Sequence, residues 1–81
     1  AAIEIPALLD TKQLVPSLRR GDRNEQVKLL QQALNRKGHK LRVDGDFGIS
    51  TQLAVQAVQQ DFGLDIDGVV GIATKRVLGL A

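Results

Sequence analysis

The residues of this 81-residue sequence that could take part in chemistry are mainly charged, and their two signs lie in separate stretches. Residues 19–42 hold eight Lys or Arg side chains against two acids, whereas residues 43–74 hold five Asp and no basic residue. Guanidinium and ammonium groups bind carboxylates through charge-assisted hydrogen bonds. The pattern predicts a molecule with a basic end and an acidic end, which could orient a partner that bears both charges. Two solvated charged faces are the alternative interpretation.

Catalysis is not expected, because the side chains that form nucleophile-and-base sites are scarce. The sequence has two Ser, one His and no Cys, so a nucleophile with its base and orienting group is hard to assemble. Asp44 and Asp46 could act as acid and base only in a desolvated cleft, and three short helices offer little cleft. His39 is a poor metal ligand, since no Cys or second His accompanies it. The sequence therefore predicts a binding module without catalytic residues, metal or cofactor.

An internal repeat is the most informative feature of the sequence. Residues 44–51 (DGDFGIST) recur 23 residues later as residues 67–74 (DGVVGIAT), with Asp, Gly, Gly, Ile and Thr at matching positions. In each copy the Asp can accept hydrogen bonds within its turn and the first Gly can adopt positive φ. The second Gly can let the backbone approach closely where a helix starts, and the Thr can bond back into the first helical turn. These turn and cap roles are assigned to Asp44, Gly45, Gly48, Thr51, Asp67, Gly68, Gly71 and Thr74.

Three helices must position these turns. Apolar residues at helical spacing predict the first helix from about Asn24 to Arg36, with Gly38 at its end. Asp22 or Asn24 can cap it, and Glu25 is a capping-box partner for Asp22. A second helix is predicted over residues 49–61 and a third over residues 72–78. Their inward-facing residues are predicted to be Ala54, Val55, Val58, Phe62, Val77 and Leu78.

The predicted fold is all-α, a compact three-helix bundle that carries two repeated Asp-Gly turns. Residues 17–81 form its single domain, since a chain of this length supports one core. Residues 1–16 lack strong periodicity and lie between Pro6 and Pro16, so they are interpreted as a linker or docking arm. No apolar stretch approaches the length of a membrane span.

The stretch from residue 18 to residue 80 resembles the peptidoglycan-binding domain of phage endolysins, cell-wall amidases and carboxypeptidases. The shared motifs are LRRGD at 18–22, V-x-x-L-Q-x-x-L at 27–34, V-D-G-x-F-G-x-x-T at 43–51, Ala54-Val55, Gln59, and G-L-x-x-D-G-x-V-G-x-x-T at 63–74. The doubled Asp-Gly-x-x-Gly-x-x-Thr is far more specific than any single turn motif. The resemblance implies a three-helix fold with its two Asp-Gly turns near each other.

The resemblance also implies a function. Such a domain binds murein without cleaving it and tethers a covalently linked catalytic or envelope-machinery domain to the wall. Its place would be the cell envelope, in the periplasm or the extracellular wall, or it would be phage-encoded and act on the wall. A monomer is expected, with no nucleic acid as partner.

The sequence departs from the family at its aromatic positions. His39, Val58 and Lys75 stand where the family often has aromatic residues, and the chain contains no Trp or Tyr. Phe62, one turn beyond Val58, could refill the volume lost there. Because the usual sugar-stacking platforms are missing, recognition of the charged stem peptide is favoured over recognition of the glycan.

A murein stem peptide carries carboxylates and, in many bacteria, a free amine, so a site with both charges would suit it. Residues 36–42 supply donors, and acceptors follow immediately. The candidate ligand-binding residues are Arg36, Lys40, Arg42, Asp46, Phe47 and Arg76. Phe47 is also a candidate for the hydrophobic core, and Arg76 could join the site if the two turns converge.

Three other binding functions compete with murein binding as interpretations of the sequence. A dockerin-like calcium loop is excluded, because Lys40, Arg42 and Thr51 would stand at ligand positions that need acids in the first copy. The basic stretch could meet nucleic-acid phosphates, but the five Asp of residues 43–74 would repel them. Protein–protein docking, or a propeptide-like module on the same fold, remains the alternative to murein binding.

Overall fold

The computed structural model describes residues 17–80, which fold into three helices. Helix α1 spans Glu25–Arg36, α2 spans Ile49–Asp61 and α3 spans Ile72–Val77. Across residues 17–80 there is no strand, and two isolated antiparallel bridges join the connecting segments. The prediction of an all-α three-helix bundle is confirmed. The predicted linker or docking arm at residues 1–16 lies outside the described residues.

Helix α1 starts with a side-chain cap. The side-chain oxygen of Asn24 accepts a hydrogen bond from the backbone N–H of Val27 at 3.0 Å, which satisfies one of the free donors at the helix start. The carboxylate of Asp22 instead accepts from the backbone N–H of Arg19 at 3.0 Å. The predicted capping box between Asp22 and the first helical turn is therefore wrong. The helix ends at Arg36 with Lys37 as its C-cap residue, and Gly38 follows with a φ of 103°, in the left-handed region.

The connecting segments and all three helices contribute to one hydrophobic core. Its buried members are Leu18, Val27, Leu30, Ala33, Leu34, Phe47, Ala54, Val55, Val58, Val70 and Leu78. Helix α3 has only six residues, too few to be stable alone in water. It is held by Leu78 in the core and by Val77, which packs against the edge of the core. Within the described part of the chain, no helix combines the length and the apolarity needed to cross a bilayer.

Phe62 lies outside the core, contrary to the prediction from helical spacing. Helix α2 ends at Asp61, and Phe62 follows as its C-cap residue with 48% of its surface exposed. The backbone N–H of Phe62 still donates to the carbonyl of Val58 at 3.1 Å, but its ring lies at the surface beyond the last turn of the helix. The ring centroid lies 5.2 Å from the ammonium of Lys37, a cation–π distance. Phe62 therefore does not refill the volume at Val58.

The segment that precedes α1 connects the two Asp-Gly turns through backbone hydrogen bonds. We call residues 18–24 the leader segment. Leu18 exchanges two such bonds with Val70, at N···O distances of 3.2 and 2.8 Å. Further along, the N–H of Gly21 donates to the carbonyl of Phe47 at 3.0 Å. The leader segment thus pairs with residues of both repeats and holds the two turns against one stretch of backbone.

Candidate functional site

A buried glutamine organises the first turn. Gln31 lies on α1 with 1% of its surface exposed. Its Nε2 donates to Asp44 Oδ1 at 3.1 Å, to the carbonyl of Asp46 at 3.1 Å and to Thr51 Oγ1 at 3.2 Å. Its Oε1 accepts from the backbone N–H groups of Asp44 at 3.0 Å and Gly45 at 2.9 Å. One side chain therefore links the helix, the turn and the start of α2.

The same arrangement is built a second time. Gln59, on α2 and also 1% exposed, donates from Nε2 to Asp67 Oδ1 and to the carbonyl of Val69, both at 2.9 Å. The same nitrogen donates to Thr74 Oγ1 at 3.2 Å. The Oε1 atom of Gln59 accepts from the backbone N–H of Gly68 at 3.0 Å. The sequence repeat is thus a repeat of one hydrogen-bond network.

Both glutamines stand in the motifs shared with the family, but sequence reasoning assigned them no functional or structural role. A signal for them exists, because V-x-x-L-Q-Q-x-L at residues 27–34 recurs as V-x-x-V-Q-Q-x-F at residues 55–62. Gln31 precedes Asp44 by 13 residues, whereas Gln59 precedes Asp67 by 8. The helices and the turns therefore repeat at different spacings, and the first copy has five more residues between its helix and its turn.

Each turn aspartate is ionised at neutral pH. Asp44 Oδ1 accepts from the backbone N–H of Asp46 at 2.9 Å, and Asp67 Oδ1 accepts from the backbone N–H of Val69 at 2.9 Å. These backbone hydrogen bonds, followed by those from the glutamine side chains, hold the pKa of both carboxyls below its usual value of 3.8. Both groups therefore act only as acceptors.

The threonines of the repeat do not act as predicted. We expected each Thr to bond back into the first turn of its helix. The hydrogen bonds of Thr51 and Thr74 instead come from the glutamine of the preceding helix. Both threonines are buried, so their hydroxyl oxygens are a third acceptor around the two amide hydrogens of a buried glutamine side chain.

Only the first glycine of each turn is required by its conformation. Gly45 has φ +76°, and a Cβ there would lie 3.1 Å from the backbone oxygen of Asn24. Gly68 has φ +72°, and a Cβ there would lie 3.0 Å from the Cγ of Gln52. The second glycine has open space around it and a negative φ in both turns. The prediction of a close backbone approach at the second glycine is therefore wrong.

These differences predict that replacing the first or the second glycine by alanine has unequal effects on stability. We expect Gly45→Ala to lower the free energy of unfolding by about 2 kcal/mol, because a left-handed conformation alone costs an L-residue about 1–2 kcal/mol. Gly48→Ala should cost only about 0.5 kcal/mol, as a slightly poorer N-cap. Urea unfolding followed by circular dichroism measures both, and equal losses would contradict the conformational argument. Gly68→Ala and Gly71→Ala allow the same comparison in the second turn.

A charged groove lies beside the first turn. This first groove has a volume of about 480 Å³. Its lining residues are Gln31, Lys40, Leu41, Arg42, Asp44, Asp46, Gly48, Ile49, Ser50 and Thr51. The buried glutamine and threonine lie at its base, and two cations and two carboxylates line it. Its charges suit a ligand that carries both a carboxylate and an amine.

The structure brings half of the candidate ligand-binding residues together. Lys40, Arg42 and Asp46 all line the first groove. Arg36, in the last turn of α1, and Arg76, on α3, are exposed but are not among its lining residues. The two turns therefore do not converge on one groove as the inclusion of Arg76 required.

Phe47 belongs to the hydrophobic core. It has 1% of its surface exposed and is among the largest fully buried side chains. Its backbone N–H donates to the carbonyl of Asp22 at 2.9 Å, which fixes it against the leader segment. The ring therefore has no face to offer a sugar or a peptide, and the core interpretation of Phe47 is the one that the burial supports.

A second groove repeats the first beside the second turn. It has a volume of about 300 Å³. Its lining residues are Gln59, Leu64, Asp65, Asp67, Val69, Gly71, Ile72, Ala73 and Thr74. The base again contains the glutamine and the threonine of the network. The charges along this groove are acidic only, whereas those of the first groove have both signs.

One ion pair lies next to the first groove. Arg23 Nε is 4.0 Å from Asp46 Oδ2, and both side chains are more than half exposed. An exposed pair at this distance contributes little to stability, so Asp46 is available to another cation. Across residues 17–80, no three His, Cys, Asp or Glu side chains are grouped as a metal site would require.

The chain is similar in sequence and in structure to several known proteins. Over 62 residues it is 40% identical to the spore cortex-lytic enzyme of Bacillus cereus, which matches 75% of this chain and 24% of that enzyme. The crystal structure of the SleB N-terminal domain matches with a TM-score of 0.76 at 38% identity, over 79% of this chain and 89% of that domain. The endolysin of Burkholderia phage AP3 matches with a TM-score of 0.76 at 40% identity, over 78% of this chain and 24% of the endolysin.

The chain thus spans about a quarter of the length of the curated relatives that it matches first. The sequence model of the peptidoglycan binding domain family matches residues 23–78, from the leader segment to the end of α3. This match includes both glutamines, both turns and the two grooves. The chain belongs to the peptidoglycan binding domain family.

Proposed function

We propose that this chain binds bacterial peptidoglycan without cleaving it and holds an attached catalytic or envelope-machinery domain at the cell wall. The family match supports this proposal, as do relatives described as a cortex-lytic enzyme, an amidase and an endolysin. The chain acts as a monomer at the cell envelope, in the periplasm or in the extracellular wall, whether a bacterium or a phage encodes it.

The first groove is the binding site for the stem peptide in this proposal. The single observation that carries it is the grouping of Lys40 and Arg42 with Asp44 and Asp46 in one recess. A carboxylate of the peptide meets Lys40 and Arg42, and the free amine of the diamino acid meets Asp46. Charge-assisted hydrogen bonds of this kind are about twice as strong as neutral ones.

Recognition of the peptide rather than the sugar agrees with the placement of the aromatic rings. The chain contains two Phe and no other aromatic residue of the Phe, Tyr and Trp class. Phe47 is buried, and the exposed ring of Phe62 already lies under Lys37. A sugar could therefore stack only on the half-exposed ring of Phe62, whereas carbohydrate sites commonly offer larger aromatic platforms.

Retention on purified, insoluble sacculi tests the proposed function. We expect the chain to sediment with sacculi and to be released progressively by salt, because screening weakens exposed charge contacts. Duplex DNA in excess should not displace it. Failure to sediment at low salt would contradict murein binding and favour the alternative of a protein-docking module, whereas displacement by DNA would indicate a general phosphate-binding surface.

Charge reversals test the site itself. We expect Arg42→Glu to weaken retention by about tenfold or more, since a hydrogen bond to a charged group contributes about 1.5–3 kcal/mol. Arg36→Glu and Arg76→Glu are matched controls, because each changes the net charge equally but lies outside the first groove. Equal weakening by all three would show that only the overall charge matters and would remove the groove from the proposal.

A further inference from the structure

The grooves beside the two turns share their buried residues but differ in the charged residues that line them. In both copies of the repeated unit, a buried glutamine, a buried threonine and an exposed turn aspartate line a groove. The first copy has five more residues between its helix and its turn, and this longer connection contains Lys40 and Arg42. The second groove has no cation among its lining residues. The longer connection is therefore what makes the first groove able to bind a carboxylate.

A single side chain fixes this longer connection. Asn35, in the last turn of α1, accepts from the backbone N–H of Leu41 through Oδ1 at 2.7 Å. It also donates from Nδ2 to the backbone carbonyl of Leu41 at 3.0 Å. The two hydrogen bonds pair the side-chain amide with both polar groups of one residue, as a neighbouring strand would. Asn35 therefore clamps the connection at its midpoint.

The clamped residue separates the two cations of the groove. Leu41 is half-buried and packs against the core, while Lys40 and Arg42 on either side of it are exposed and line the groove. Leu41 also lines the groove between these two cations. Holding the backbone of Leu41 in place thus fixes where the chain carries Lys40 and Arg42 along the first groove.

The second copy has no such clamp. The position that corresponds to Asn35, 28 residues later, is Gly63. The connection after Gly63 is shorter, and the turn follows directly. Asn35 is therefore specific to the copy whose groove has both charges, whereas the glutamine network is common to both.

We infer that Asn35 is a positioning residue, which directs Lys40 and Arg42 into the first groove and so determines that the first copy, not the second, recognises the peptide. The inference rests on the proposed function. Asn35 is not among the residues that line the groove, so it acts through the backbone of Leu41. Without the clamp, the connection samples more conformations, and binding must order it again.

A double-mutant cycle on the full 81-residue chain tests the inference. The probe is a soluble murein tetrapeptide that carries a free diamino-acid amine, titrated by calorimetry. We expect Asn35→Ala to weaken its binding by roughly tenfold, within the range of coupled neighbouring residues. When Arg42 is already alanine, Asn35→Ala should cause a markedly smaller further loss of tetrapeptide affinity. The guanidinium that Asn35 helps to position is then absent.

Two further measurements separate positioning from general destabilisation. Amide hydrogen exchange at Leu41 should become faster in Asn35→Ala, while exchange at Gly45 and Gly68 stays unchanged. Asn35→Asp should show an intermediate loss of binding, since it keeps the acceptor for the Leu41 N–H but loses the donor. Gln32→Ala, at an exposed position of the same helix, should leave peptide binding unchanged.

The outcomes distinguish the two proposals. Unchanged binding in Asn35→Ala, or the same loss with and without Arg42, overturns the role of Asn35 but leaves the groove as the site. If Arg42→Ala itself leaves tetrapeptide binding unchanged, the groove assignment fails and the role of Asn35 fails with it. Retention on sacculi despite that result would preserve murein binding at another surface.

Discussion

Replacement of Gln31 by Leu is expected to destabilise the domain by about 3–5 kcal/mol. The change removes five hydrogen-bond contacts, three of which share the two amide hydrogens of Gln31, and leaves the backbone N–H groups of Asp44 and Gly45 without their acceptor. Each buried polar group left unsatisfied costs about 1–3 kcal/mol. A domain of this size has a total stability of only about 5 kcal/mol or slightly more, so the variant should be largely unfolded near 37 °C.

The neighbouring residue provides a matched control. Gln32 is exposed on the same helix, so Gln32→Leu should change stability by no more than about 0.5 kcal/mol. Urea unfolding followed by far-ultraviolet circular dichroism measures both variants. Similar midpoints for Gln31→Leu and Gln32→Leu would show that the network does not hold the turn.

The second copy extends this comparison within one molecule. Gln59 makes four of the corresponding hydrogen bonds rather than five, and its exposed neighbour is Gln60. Gln59→Leu should therefore also unfold the domain, with a slightly smaller loss. Because the leader segment pairs with residues of both repeats, damage to either network should be transmitted to the whole domain.

Local features of the sequence were sufficient to predict the helices. Helix α2 spans Ile49–Asp61 as predicted, and α3 ends one residue before the predicted limit, with Leu78 as its C-cap. Apolar spacing and Asp-Gly turns act over a few residues, so they can be recognised without knowledge of the fold. Phe62 was assigned wrongly because helical spacing from Val58 does not guarantee burial at the end of a helix, where Phe62 is the C-cap residue and 48% exposed.

The role of the glutamines depends on contacts that composition does not indicate. Glutamine is usually exposed, so Gln31 and Gln32 look equivalent when only their residue type is considered. Their difference arises because Gln31 faces a turn 13 residues away and because that turn presents unpaired backbone groups. Two signals separate them: the V-x-x-[LV]-Q-Q pattern precedes both turns, and the family motifs specify Gln31 and Gln59 but not Gln32 and Gln60.

The grouping of site residues could be predicted from the sequence only for residues that lie close together in the chain. Lys40, Arg42 and Asp46 share the first groove because one short connection carries them all. The inclusion of Arg36 and Arg76 required knowledge of where two helices direct their side chains relative to that connection. Asn35, which fixes the connection, carries no charge and lies outside the motifs shared with the family, so a search for charged partners overlooks it.

Phe47 offers the sharpest separation between stability and binding. We expect Phe47→Ala to cost about 3–5 kcal/mol, because it empties the position of the largest buried side chain. Phe62→Ala, at the chain's other Phe, should cost less than about 1 kcal/mol, since that ring is half exposed and contributes mainly a cation–π contact. Thermal unfolding of the two variants measures the difference.

The conservative variant Phe47→Leu then separates the two roles considered for Phe47, which are core packing and ligand binding. Phe47→Leu keeps most of the buried apolar volume, so we expect a folded domain that loses roughly 1–2 kcal/mol of stability. It should sediment with sacculi as the unmodified chain does, because a ring with 1% exposure cannot touch the ligand. A folded Phe47→Leu domain that no longer sediments would contradict the prediction that Phe47 contributes to stability alone, since loss of binding without unfolding requires the ring to contact peptidoglycan or to shape the groove directly. The core assignment thus predicts that binding declines only when folding does.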